Sequence, residues 1–281
     1  MKHTWVDPPL IQVREVVARA LAEDFGVQGD LTAGLVPDDA SVRALLVARR
    51  DGVLAGRLAA HESFSAVDPT VSVTWNSSDG DTVAAGTVIG RVQGRLASVL
   101  SAERTALNLL CHLSGIATMT RRYVDAAGDT SRIRDTRKTT PGLRSLEKAA
   151  VRAGGGVNHR ASLSDSILVK DNHLAGVGIQ RAVALAHSRW PGVTCEVECD
   201  NLEQVEVALA AGADMILLDN MSPSDVAVAV EVVAGRVQVE VSGGVTLDTV
   251  GAYAAAGADL ISVGAITHSA PILDIGLDLE T

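Results

Sequence analysis

Between Arg134 and Lys170 the chain sets eight cations, Arg134, Arg137, Lys138, Arg144, Lys148, Arg152, Arg160 and Lys170, against three acids, Asp135, Glu147 and Asp165. The surplus stands out in a chain of formal net charge −10. A guanidinium fork grips a carboxylate or phosphate at two points, whereas an ammonium acts as a point charge. A charge run is most often a solvated face. Here Arg137 and Lys138 close the strand-like RIRDT, and Lys170 and His173 close SILVKDNH. Between them VRAGGGVNHR carries three consecutive glycines, which let backbone N–H groups approach a ligand closely. The chemistry implied is the binding of a small molecule bearing several negative charges.

Acids and small residues recur downstream at a steady interval. Glu198, Asp219, Ser242 and Gly264 each end a short apolar segment, 21, 23 and 22 positions apart. Glu198 and Asp219 have two readings: ion pairs with Arg137, Lys138 or Lys170, or groups that hold ribose hydroxyls, a divalent metal or a developing positive charge. Glu196 shares a strand face with Glu198 one pleat deeper, suited to pairing with a buried cation. Ser242-Gly243-Gly244 and Val263-Gly264-Ala265 form neighbouring small-residue loops of the kind that hold phosphate beside a helix N-terminus. His268 and Ser269 add donors just beyond the second loop.

The elements that must position these residues follow from about Arg132 onward. VTCEVECD, DMILLDN, VQVEVSGG and DLISVGA read as strands, alternating with NLEQVEVALAAGA, SPSDVAVAVEVVAG and TLDTVGAYAAAGA as helices. Asn201, Ser222 or Ser224, and Thr246 stand at N-cap positions, and Gly212, Gly235 and Gly257 close the helices. Strand–helix alternation of this length implies right-handed crossovers and a parallel sheet. The even spacing predicts an open, TIM-like α/β barrel with the four residues on its carboxyl rim. The rival, an open Rossmann sheet, lacks a GxGxxG after its first strand. The first ~110 residues differ: LLVARRDGVLAG, VSVTWNSSDGD and TVIGRVQGRL are short strands with Gly, Asp and Asn turns. They predict a small α+β sandwich domain over 1–113, joined by 270–281, ahead of a barrel over 114–269.

Composition narrows the class. The chain is 47% hydrophobic but only 2% aromatic, so its core is built from Ala, Val, Leu and Ile. Net acidity argues against nucleic acid or an anionic membrane as partner. No charge-free apolar run approaches the ~18 residues that span a bilayer. Cys111, Cys195 and Cys199 lack CxxC spacing and read as buried thiols in a reducing compartment, the cytoplasm.

The strings DTRKTTPGLRSLEKAAVRAGGGVNHR, DSILVKDNH, ERTALNLLCHLSGIAT, EDFGVQGDLT, DGVLAG, EVECDN, LLDN and VSGGV span essentially the whole chain. Together they resemble the quinolinate phosphoribosyltransferase family. One departure is Ala149, where the family string has tyrosine. The resemblance implies transfer of phosphoribose from phosphoribosyl pyrophosphate to quinolinate with loss of CO2, on a homodimer in which Arg104 reaches the partner's site. It implies quinolinate contacts at Arg104, Arg137, His159, Arg160 and Lys170. The phosphoribosyl and pyrophosphate side falls to Lys138, Glu198, Asp219, Ser242, Gly243, Gly244, Val263, Gly264, Ala265 and His268, with Thr136 donating from the same string. Lys138, Glu198 and Asp219 are the expected catalytic groups. Mg²⁺ is the expected cofactor, held mainly by substrate phosphates with Glu198 or Asp219. Three other readings remain: a Schiff-base barrel enzyme using Lys138 or Lys170, a related phosphoribosyltransferase-like protein acting on a different acceptor, and a non-catalytic sensor of anionic metabolites.

Overall fold

Val, Ile and Leu dominate the downstream strands: MILLD is apolar on both faces, as strands covered on both sides are, while CEVEC and QVEVS alternate an apolar face with one that bears carboxylates. In the computed structural model, which describes residues 7–170 and 176–280, these strands form one all-parallel sheet. Its members are β6 (Arg132–Arg134), β7 (Ile167–Val169), β8 (Cys195–Cys199), β9 (Met215–Asp219), β10 (Gln238–Ser242) and β11 (Leu260–Ser262), in the order β6-β11-β10-β9-β8-β7. Each strand from β8 to β11 adds beside its predecessor and β6 pairs with β11, while β6 and β7 are left unpaired with each other. This is the open α/β barrel that the spacing predicts. Cys195, Val197 and Cys199 are fully buried on one face of β8. Burial pushes the Cys195 and Cys199 thiols up, to about 11 and about 12, so neither is a nucleophile at neutral pH.

The helices begin and end where polar chemistry permits. Asn201 caps Leu202–Ala210 by accepting from the Gln204 N–H at 3.0 Å. Ser222, rather than Ser224, caps Pro223–Val233 by accepting from Asp225 at 3.2 Å. Thr246 is a correction: the helix begins at Val250, and residues 246–249 form a turn in which Thr249 Oγ1 accepts from the Thr246 N–H at 2.9 Å. Two threonines three apart offer competing ends, and the turn takes the first.

A second sheet is antiparallel, in the order β12-β1-β5-β3, from β1 (Ser41–Ala48), β3 (Ser72–Trp75), β5 (Val88–Arg95) and β12 (Ile275–Leu279). The short pair β2 (Gly52–Val53) and β4 (Thr82–Val83) stands apart from it. The hydrophobic core against the four-stranded antiparallel sheet is built on Leu46, Leu54, Phe64, Ile89 and Leu110. By contact density the chain divides into two units. The first holds residues 1–121, 139–155 and 266–281, and the second holds 122–138 and 156–265. Among the described residues no helix is long and apolar enough to cross a membrane.

Two of the three glycines correct an expectation. Gly154 and Gly155 end the helix Arg144–Ala153, with their N–H groups bonded to Ala150 and Arg152 carbonyls. A Cβ on Gly154 would lie 2.5 Å from the Ala117 carbonyl oxygen. The backbone does make a close approach, but to a neighbouring helix rather than to a ligand.

Candidate active site

At the carboxyl ends of the parallel strands the second unit encloses a cavity of about 390 Å³. It is lined by Thr136, Arg137 and Lys138 after β6, Lys170 after β7, Glu198 from β8, Asp219 from β9 and Ser242 from β10. His159 and Arg160 enter from the loop that pairs with β6 through Arg134 and Val157. Four of the eight cations of the basic window therefore meet around one mouth. Arg134 lies beneath, paired with buried Glu240. Arg144, Lys148 and Arg152 belong to the helix Arg144–Ala153 of the first unit.

The charges in the cavity are partly compensated and partly in conflict. Lys170 Nζ pairs with Glu198 Oε2, as the ion-pair reading expects, and Glu198 also lines the cavity. One Asp219 oxygen accepts from Asn220 Nδ2 at 2.6 Å. The guanidinium of Arg160 is pulled below its usual range by burial first and by the like charge of Arg137 second, while Glu196 and Asp165 oppose the shift. Two cations that repel across a cavity are relieved when an anion enters between them.

Beneath these groups the strands carry a buried polar layer. His159 Nε2 lies 3.3 Å from Glu196 Oε2 and 3.7 Å from Glu240 Oε1, and His159 Nδ1 accepts from the Arg160 N–H at 2.7 Å. Both ring nitrogens are thus engaged, and the imidazole meets the cavity as part of its floor. Burial raises the Glu196 carboxyl, opposed chiefly by Arg134, and pushes Glu240 up to about 7.

Leu168, Leu217, Glu240 and Ser262 also line the cavity and were not anticipated. Glu240 and Ser262 stand two residues before Ser242 and Gly264, which puts them on the same faces one pleat down. Of the anticipated phosphate-loop residues, Gly243, Gly244, Val263, Gly264 and Ala265 follow β10 and β11 at the same ends but are not among the lining groups. Gly243 has φ +93°, and a Cβ there would lie 2.8 Å from the Asn220 backbone nitrogen. Only glycine fits this turn. His268 and Arg104 belong to the first unit: His268 is exposed, with Nδ1 2.6 Å from Ser269 Oγ, and Arg104 is exposed on the helix Leu96–Ala127. His173 lies outside the described residues.

A cation-lined mouth at the carboxyl ends of parallel α/β-barrel strands suits a class of enzymes that act on phosphorylated or carboxylated small molecules. Comparison with known proteins sharpens this. The chain matches the model of the quinolinate phosphoribosyl transferase N-terminal domain over residues 30–114 and of its C-terminal domain over 116–278. It is 45% identical over 275 residues to the nicotinate-nucleotide pyrophosphorylase (carboxylating) of Mycobacterium leprae, covering 95% of this chain and 96% of that one. It is 42% identical to a probable enzyme of the same name from Bacillus subtilis, covering 96% and 94%. The solved nicotinate-nucleotide pyrophosphorylase of Francisella tularensis superposes with a TM-score of 0.93 at 39% identity, over 97% of each chain. The chain belongs to the quinolinate phosphoribosyltransferase family.

Proposed function

We propose that this protein transfers the phosphoribosyl group of phosphoribosyl pyrophosphate to quinolinate, giving nicotinate mononucleotide, pyrophosphate and CO2 in NAD biosynthesis. The observation that carries the reading is the convergence of Arg137, Arg160 and Lys170 on one cavity that also presents Glu198 and Asp219. Quinolinate bears two adjacent carboxylates, and fixed guanidinium and ammonium groups hold both in one orientation. Arg104 of a second copy completes that grip in a homodimer. Lys138 and the Ser242–Gly244 and Val263–Ala265 loops take the phosphate and pyrophosphate oxygens, with His268 and Thr136 as further donors.

Chemistry follows from charge. As the bond from the anomeric carbon to pyrophosphate lengthens, positive charge grows on the ribose, and Glu198 and Asp219 face it as fixed negative groups. The quinolinate ring nitrogen forms the new bond to that carbon. Its pyridinium then accepts the electron pair left as the adjacent carboxylate departs as CO2, and a proton replaces it on the ring. No side-chain nucleophile is needed. Each close charge pair is worth about 4 kcal/mol at an effective dielectric of ~20, and desolvation takes back much of it. What the cations supply is chiefly orientation.

The oxygen donors of Glu198 and Asp219 suit Mg²⁺, which binds through one or two carboxylates together with substrate phosphates. When bound, the ion neutralises charge on the departing pyrophosphate. The absence of a membrane-spanning helix among the described residues and the buried, unreactive cysteines accord with a cytoplasmic enzyme. The decisive assay incubates the purified protein with quinolinate, phosphoribosyl pyrophosphate and Mg²⁺. Nicotinate mononucleotide and pyrophosphate should form in equal amounts and cease on chelation. A folded protein that makes neither sinks the reading.

A further inference from the structure

Glu240 on β10 is completely buried, yet its carboxylate is met from three sides. Oε2 takes the Arg134 guanidinium from β6, Oε1 takes the Ser262 hydroxyl from β11, and Oε1 also faces His159 Nε2. Each partner reaches on to one short stretch of chain. Arg134 Nε donates to the Asn158 carbonyl at 3.3 Å. Ser262 Oγ lies 3.4 Å from the carbonyl of Asp135, whose carboxylate accepts from Asn158 Nδ2 at 2.6 Å and from the His159 N–H at 2.8 Å. His159 Nδ1 accepts from the Arg160 N–H. A neutral imidazole whose Nδ1 accepts carries its proton on Nε2, the nitrogen turned toward Glu196 and Glu240. Glu240 is the common anchor of the turn that ends in Arg160.

Stability alone does not account for such an anchor. A buried ionic cluster is commonly no more stable than apolar residues of the same volume, and losing one partner is costly. The spacing of His159, Glu196 and Glu240 would also suit a cation. Arg134, however, already supplies positive charge to Glu240, and the proton on His159 Nε2 occupies the lone pair that a metal would need.

We propose that Glu240 is a positioning residue for the transfer reaction: by holding Arg134, Ser262 and His159 it sets the Asn158–Arg160 turn so that the Arg160 guanidinium is aimed at a carboxylate of the substrate. This rests on the functional reading above. Arg160 needs such support, because Arg137 repels its charge while Nη1 donates to the Ser166 carbonyl at 2.9 Å.

The test is steady-state kinetics at about pH 8, above the value of about 7 to which burial pushes Glu240, of Glu240→Gln, which keeps the volume but removes the charge that orders Arg134. The quinolinate KM should rise at least about tenfold while the phosphoribosyl pyrophosphate KM stays within about twofold, the signature of a lost ground-state contact to one substrate. A residue serving stability alone would lower Tm and the active fraction without separating the two KM values. Ser262→Ala removes one spoke of the anchor and should raise the quinolinate KM about threefold; it decides the matter if Glu240→Gln does not fold. An unchanged quinolinate KM in whichever variant folds, or an equal rise in both KM values, overturns the assignment. Wild-type turnover is read in the same assay: its absence removes the functional reading and this inference together, whereas normal turnover with unmoved variants removes this inference alone.

Discussion

The parallel sheet has a hollow at each end, and the two are nearly equal in size. The carboxyl-end cavity measures about 390 Å³; the amino-end one, bounded by His187, Gly192, Val193, Thr194, Asp214, Met215 and Gln238, measures about 360 Å³. Strands β9 and β10 border both, and the residues leading into β8 border the amino-end one. Their chemistry differs. The amino end has one acid and one histidine, and these face each other, His187 Nε2 lying 3.2 Å from Asp214 Oδ2. Asp214 is further occupied by the Cys195 N–H at 2.7 Å, a bond that ties the start of β8. The carboxyl end gathers four cations, with Arg137 opposing Arg160. Volume is common to both hollows, so volume is not what makes a site. Convergent like charge, with Arg137 set against Arg160, distinguishes one from the other.

The widest gap between the two ends should open when a carboxyl-end cation is removed. Arg160→Ala or Lys170→Ala should lower kcat/KM for quinolinate by about 10² to 10³-fold, equivalent to roughly 3–4 kcal/mol of transition-state stabilisation. Lys170→Ala also leaves Glu198 without its ion-pair partner. Kinetics with both substrates, beside circular dichroism to confirm the fold, checks this. Wild-type kcat/KM in either variant would contradict the idea that these charges carry binding.

Glycines at the two ends allow a matched test of backbone strain. Gly243 (φ +93°) would drive a Cβ against Asn220, with Cγ at 2.6 Å and the backbone nitrogen at 2.8 Å, whereas Gly192 (φ +85°) has nothing within 4 Å of that position. Gly192→Ala should therefore cost only the left-handed backbone, about 1 kcal/mol. Gly243→Ala adds a clash with backbone that cannot rotate away, about 1–3 kcal/mol more. It should also lower activity by shifting the turn after Ser242. Urea unfolding of both variants reads the difference, and equal losses would show that the Asn220 contact relaxes at no cost.

Much of this was legible in the chain itself, and what was not has specific causes. The rim residues were readable because strand–helix units of near-constant length bring Glu198, Asp219 and Ser242 to one end. Asn201 and Ser222 were readable because a side-chain oxygen must satisfy an exposed helix N–H. Gly154 was misjudged because glycine permits close approach of any neighbour, and a packed helix exploits it as well as a ligand does. Glu240 and Ser262 were not legible as site residues because they lie within β10 and β11, below the rim residues Ser242 and Gly264 that the spacing marks. The two-residue period that sets Glu196 beneath Glu198 also sets Glu240 beneath Ser242 and Ser262 beneath Gly264. No sequence pattern reports that two acids, a histidine, a serine and an arginine from separate segments share one layer. That follows from the register of β6, β8, β10 and β11, which only the folded chain specifies.

The smallest effects belong at the amino end, and they test the comparison most severely because nothing should happen. His187→Ala removes the partner of Asp214, but both side chains are more than 40% exposed, at 42% and 46%. Exposed pairs of this kind contribute roughly 0–1 kcal/mol, and Asp214 retains its bond to the Cys195 N–H. Gln238→Ala trims an exposed side chain at the first residue of β10 and leaves the backbone pairing of Gln238 with Met215 intact. Each variant should keep kcat and both KM values within about twofold and stay within about 1 kcal/mol of wild type. Substrate added to the wild type should shift Tm upward, and it should do so equally in these two variants. If either one lost quinolinate binding, the two ends would be coupled through β8 and β10. The carboxyl-end charges would then be necessary without being the whole of the site.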